Sequence, residues 1–114
     1  MKKRIVLASQ SMARQNMLRQ AGVEFEVKPA RIDEEAIIKS LLADGATTND
    51  IVDALAEYKA LRVAGSHPDG LIIGSDQILV CEKKIYSKAQ NLEQAKITLK
   101  ELRGKSHQLL SAAV

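Results

Sequence analysis

The sequence predicts an α/β fold, and three observations carry the prediction. Short apolar runs of strand type alternate with segments of helical period, polar or glycine-containing breaks separate them, and the first strand passes through a polar loop straight into a helix. Arg4 to Ala8 is a buried-strand run ended by Ser9-Gln10-Ser11. A helix follows, with Met12, Met17, Leu18 and Ala21 at helical intervals, Ser11 as N-cap and Gly22 as the left-handed terminator. Met12 and Met17 read as core-lining. Glu24 to Lys28 alternates with period two and reads as a half-exposed strand closed by Pro29. The acidic turn Asp33-Glu34-Glu35 opens a short helix through about Ala43.

Beyond the break at Asp44-Gly45-Ala46, Thr48 or Asn49 caps a longer helix to about Ala64, terminated by Gly65-Ser66-His67-Pro68. Leu71 to Val80 is strand-like and interrupted by Gly74-Ser75-Asp76-Gln77. Glu82-Lys83-Lys84 reads as a hairpin tip, with Ile85-Tyr86 returning. Asn91 and Gln94 form a capping-box pattern, Leu92, Ala95, Leu99 and Leu102 an apolar face, and Gly104 a stop. His107 to Val114 starts another strand. No linker, repeat or low-complexity tract divides the 114 residues, which read as part of a single domain.

Composition narrows the function. At 46% hydrophobic and 27% charged residues, with 6 Gly and 2 Pro, the balance is globular rather than disordered or collagen-like. No apolar run approaches the roughly 18 residues of a membrane span, and the apolar stretch after Met1-Lys2-Lys3-Arg4 is shorter than the ~7–15 residues of an export signal. The expectation is a cytoplasmic protein that does not enter membranes. The lone Cys81 cannot form an internal disulfide and reads as a small buried hydrophobe. Residues 1–30 hold six Lys and Arg against two Glu, which suits an anionic ligand near the N-terminus. With three aromatics in all, Phe25, Tyr58 and Tyr86, stacking on a nucleic-acid polymer is not expected, and a small phosphorylated ligand fits better.

Four features resist explanation by packing. Ser9-Gln10-Ser11-Met12-Ala13-Arg14 puts two hydroxyls, a helix N-terminus and a cation where an anion can bind, although serines before helices are also ordinary caps. Asp76 is an acid inside a ten-residue apolar run. A carboxylate there serves catalysis or a metal, or else accepts backbone hydrogen bonds in a turn or bulge. Lys59 falls on the apolar stripe of Val52, Leu55, Ala56 and Val63, where it either snorkels or reaches an interior anion. Asp33 or Glu34 offers oxygen to Mg²⁺, or simply complements the helix dipole. His67 and His107 have no metal-spaced partner and read as ordinary surface residues. Neither a P-loop nor a nucleophile elbow is present.

In order along the chain stand Ile5-Val6-Leu7-Ala8-Ser9-x-Ser11-x-x-Arg14, Asp33-Glu34, Leu55-Ala56-x-x-Lys59-Ala60, Ile72-Ile73-Gly74-Ser75-Asp76-Gln77 and Lys88. This order resembles the Maf family of nucleoside triphosphate pyrophosphatases, over essentially all 114 residues. Members of the family are longer, so the resemblance implies the N-terminal part of one such domain. It implies a mixed sheet flanked by helices, related to the inosine triphosphate pyrophosphatases, and Mg²⁺-dependent cleavage of a nucleoside triphosphate to monophosphate and pyrophosphate. Carried over by position, Asp76 is the general base, Ser9 and Arg14 hold the phosphate chain, Glu34 assists metal or water with Asp76, and Lys59 and Lys88 neutralise phosphate. Gln77 and Ala13 fall at specificity positions. Gln at the former accompanies the 7-methyl-GTP pyrophosphatases, and its amide offers both donor and acceptor to a base edge. Where the family has Ser-Pro-Arg-Arg and Gly-Lys-Pro, this chain has Ser11-Met12-Ala13-Arg14 and Ser87-Lys88-Ala89.

The expected function is therefore a pyrophosphatase acting in nucleotide-pool sanitation or cell division (septum formation). The alternative is a catalytically silent nucleotide-binding or interaction module, in which an exposed sheet edge pairs two copies as a homodimer.

Overall fold

A computed structural model describes residues 4–86 and 91–114. Lys88 lies outside the described residues. The architecture follows from one constraint, that parallel strands need crossovers long enough to hold a helix. Strand β1 (Arg4–Leu7) pairs in parallel with β2 (Glu26–Val27) and with β3 (Gly70–Ile73), giving the order β2-β1-β3. Helix α1 (Met12–Gln20) makes the first crossover, and α2 (Glu34–Ala43) with α3 (Thr48–Ala64) makes the second. The rest of the chain is antiparallel. Strand β4 (Ser75–Cys81) runs between β5 (Lys84–Tyr86) and β6 (Gln108–Ala113), with α4 (Leu92–Leu102) connecting the last two. An α/β chain with parallel and antiparallel sheets flanked by helices is thus what the sequence predicts and what forms.

Helix α3 joins the two sheets. Its N-terminus is fixed by a capping box in which Thr47 and Asp50 satisfy each other's backbone N–H groups. Ile51, Val52 and Leu55 pack with Ile78 of β4 in one core cluster, while Val63, one helix end further, packs with Val6 and Ala8 of the parallel sheet. Ile51 and Leu55 are fully buried, each worth about 1.5–3 kcal/mol. At the seam between the sheets stands Gly74, whose backbone exchanges hydrogen bonds of 2.9 and 2.8 Å with Val114. A Cβ at Gly74 would collide with the Ala56 carbonyl oxygen and lie 2.7 Å from both Cβ and N of Ala60. Glycine here lets α3 lie directly on the start of β4.

Several expectations are corrected. The long strand-like run breaks at Gly74 alone, so Asp76 lies within a strand, paired in register with Ala112, and not in a turn or bulge. The cap of α3 is Thr47, one residue before the expected Thr48 or Asn49, because Thr47 is the position with Asp50 three residues on. The strand expected at 24–28 shrinks to Glu26–Val27. Met12 and Met17 do not line the core, being 61% and 69% exposed: α1 buries only Gln15. Of the apolar face of α4, Ala95 and Leu102 are half-buried, with Thr98 and Glu101 beside them, while Leu92 and Leu99 are presented to solvent. The hairpin tip is as expected, with Glu82 and Lys83 both at positive φ, and Cys81 is buried with its thiol 3.4 Å from the Ser106 carbonyl oxygen. Among the described residues no helix is long and apolar enough to cross a membrane.

Candidate active site

The loop after β1 divides its two serines between two tasks. Ser11 is the helix cap, accepting from the Arg14 N–H at 3.3 Å. Ser9 is buried, and its Oγ accepts from the Ser11 N–H at 3.1 Å and from Arg14 Nη1 at 3.2 Å. The guanidinium is therefore held against the loop by a hydroxyl, and no other side-chain hydrogen bond or ion pair engages it among the described residues. On α2, Asp33 caps the helix through the Ala36 N–H at 3.1 Å, so of the two acids proposed at this turn Glu34 is the one that reaches the site.

Lys59 does not snorkel. Its side chain is 13% exposed, and Nζ lies 2.7 Å from Glu34 Oε1 and 3.1 Å from Asp76 Oδ1. One ammonium thus bridges carboxylates from α2 and β4, which answers the cost of burying Asp76. The other Asp76 oxygen, Oδ2, is covered and has no partner, as is Ser75 Oγ. Glu34 and Asp76 thus bring two carboxylates, the oxygen donors that a hard cation takes, to either side of the Lys59 ammonium. Among the described residues no three His, Cys, Asp or Glu side chains group as a ready-made cage.

A cleft of about 1190 Å³ collects these groups. Ser9, Ala13, Arg14, Glu34, Lys59, Asp76 and Gln77 all line it, together with Arg31, Tyr86 and Thr98, which the sequence reading did not single out. Arg31 is a cation two residues ahead of the acidic turn, a signal that was available. Tyr86 and Thr98 enter only because β5 and α4 pack at the cleft wall, and nothing local in the sequence says so. The Tyr86 hydroxyl donates to Glu101, which pushes the phenol up to about 12 and holds the carboxyl below its ordinary value of 4.5, helped by Lys84 at 3.2 Å. His67 sits by the end of α3, its Nδ1 3.0 Å from Ser66 Oγ, and neither His67 nor His107 lines the cleft.

The fold and site define an α/β protein with a charged cleft lined from both its sheets. The chain belongs to the Maf-like protein family, whose model matches residues 4–114. It is 52% identical over 110 residues to a nucleoside triphosphate pyrophosphatase of Ruegeria sp. (strain TM1040), an alignment covering 96% of this chain and 55% of the relative. It is 43% identical over 111 residues to one from Granulibacter bethesdensis, covering 97% and 56%. With a 7-methyl-GTP pyrophosphatase of Brucella abortus biovar 1 it shares 41% identity over 111 residues, again covering 97% and 56%. The chain spans about half the length of the curated relatives it matches.

Proposed function

We propose that this cleft hydrolyses a nucleoside triphosphate to the monophosphate and pyrophosphate, with Mg²⁺ as cofactor. The observation that carries the reading is the Lys59 bridge between Glu34 and Asp76, facing the Ser9–Arg14 pair across one cleft. The names of the relatives support it. Arg14, Lys59 and Arg31 bind and neutralise the triphosphate, and Lys88 is assigned to the same task on resemblance. Asp76 is the general base: it takes a proton from water as the water oxygen bonds to one phosphorus of the α–β bridge and the bond from that phosphorus to the bridging oxygen breaks. Cations facing the phosphate oxygens stabilise the charge that accumulates there. Glu34 and Asp76 are the residues that would hold Mg²⁺, which would supply Lewis-acid polarisation of phosphate oxygens.

In the resting arrangement Asp76 Oδ2 is covered. Lys59 holds the other oxygen, Oδ1, and a triphosphate offers that ammonium new partners, which frees Oδ1 to accept a proton from water. For the base, Gln77 is exposed at the cleft and presents an amide, while Ala13 contributes no charge or ring. The Gln77 amide, with the Brucella relative's name, supports a 7-methylated guanine nucleotide as the preferred substrate.

The test is pyrophosphate release from 7-methyl-GTP, GTP, dTTP and UTP, with and without Mg²⁺, paired with calorimetric binding of each. Selective, Mg²⁺-dependent turnover supports the reading. Binding without turnover in the longest natural chain gives the site instead to a silent nucleotide-binding module.

A further inference from the structure

Across the antiparallel sheet, Tyr86 of β5, Leu79 of β4 and Leu109 of β6 are register partners, Leu79 facing Tyr86 on one side and Leu109 on the other. Partners in register lie on one face, so the three form a continuous row. All three line the cleft, and Leu109 is 59% exposed. Gln77 precedes Leu79 by two residues and therefore shares this face. An apolar row of this kind is poorly suited to phosphate, whose cationic partners stand elsewhere in the cleft. Tyr86 is the sole aromatic among the described cleft residues. Its ring is also held from two directions: Glu101 accepts from its hydroxyl, and Lys84 Nζ lies 4.8 Å from the ring centroid while pairing with Glu101 at 3.2 Å.

We infer that the Tyr86–Leu79–Leu109 row is the platform on which the nucleobase lies, with Tyr86 as its stacking residue, held in place by Glu101 and Lys84. The inference rests on the triphosphate reading of the same cleft and adds where the base goes. A locked ring loses little freedom on binding, so stacking on it costs less ordering than stacking on a mobile one. A 7-methylated guanine, which carries positive charge, gains a cation–π attraction to the same ring.

The experiment compares Kd for a nucleoside triphosphate and for inorganic tripolyphosphate, which has no base, in the wild-type chain and in Tyr86→Ala, Tyr86→Phe and Leu109→Ser. Tyr86→Ala is expected to weaken nucleotide binding by about tenfold or more and leave tripolyphosphate binding unchanged, while Tyr86→Phe, which keeps the ring, stays within about threefold of wild type. Leu109 is largely exposed, so Leu109→Ser keeps the fold and weakens nucleotide binding selectively. Nucleotide affinity unchanged in Tyr86→Ala, or weakened equally with tripolyphosphate, overturns the platform alone. Failure of the wild-type chain to bind either ligand overturns the underlying triphosphate reading and the platform with it.

Discussion

Lys59 of α3 and Asp76 of β4 meet at 3.1 Å, with side-chain exposures of 13% and 9%. A charge so placed depends on its partner, because removing either one leaves the other buried and uncompensated. Lys59→Met is therefore expected to destabilise the chain by roughly 3 kcal/mol, and Lys59→Met combined with Asp76→Asn by clearly less, although Glu34 also loses its partner. Urea midpoints of the two single variants and the double variant measure the coupling. Additive losses would show that the two side chains are not energetically coupled.

Asp76→Asn keeps the shape of the side chain and removes the proton acceptor. Turnover of the preferred nucleotide is expected to fall by about 10² or more while its binding persists. Near-normal turnover would take Asp76 out of the role of base.

At Gly74 the argument is steric. Ala56 and Ala60 of α3 present backbone to the space a Cβ would need, and backbone cannot swing aside as a flexible side chain can. Gly74→Ala is expected to cost about 1–3 kcal/mol or more by prising α3 from β4, and to separate Lys59 from Asp76 in the process. A thermal scan read together with turnover checks both effects. An unshifted Tm would mean that the seam can open without loss.

How much of this was legible in the sequence varies with the range of the interactions involved. Lys59 was identifiable because helical spacing alone places it on the stripe of Val52, Leu55 and Val63, and a lysine there needs a partner. The identity of that partner was not legible: Glu34 is on another helix and Asp76 on a strand 17 residues away. Asp76 itself was ambiguous, since Gly74-Ser75-Asp76-Gln77 carries turn residues. The ladder to β6, a long-range pairing, decides for strand. The apolar pattern predicts core contacts for Met12 and Met17 that do not form, and it leaves Leu92 and Leu99 of the α4 face in solvent. Period reports which residues share a side, and only the neighbours decide whether that side is covered.

Gln77 faces the cleft two residues from Leu79, at the edge of the row assigned to the base. Gln77→Thr replaces an amide donor and acceptor with one hydroxyl. The ranking of 7-methyl-GTP, GTP, dTTP and UTP by kcat/KM is expected to change, with the guanine nucleotides losing ground. An unchanged ranking would remove Gln77 from base recognition.

The Tyr86–Glu101 hydrogen bond gives stability a pH window. Glu101 titrates below its ordinary 4.5 because the Tyr86 hydroxyl and the Lys84 ammonium favour the carboxylate, so its contribution is present above 4.5 and is lost as pH falls through the lower folded value. Tyr86 is raised from 10.0 to about 12 because Glu101 favours the neutral phenol, so that contribution is present below 10.0 and is lost as pH rises toward about 12. Both groups are at the surface, where solvent weakens the pair. Tyr86→Phe should therefore lower the urea midpoint slightly near neutral pH and converge on wild type at either extreme. In a Tyr58→Phe background, where Tyr86 is the remaining tyrosine, Glu101→Gln should move the phenolate absorbance midpoint down from about 12 toward 10.0. A midpoint that stays high in Glu101→Gln would show that burial, not the carboxylate, holds the proton on Tyr86.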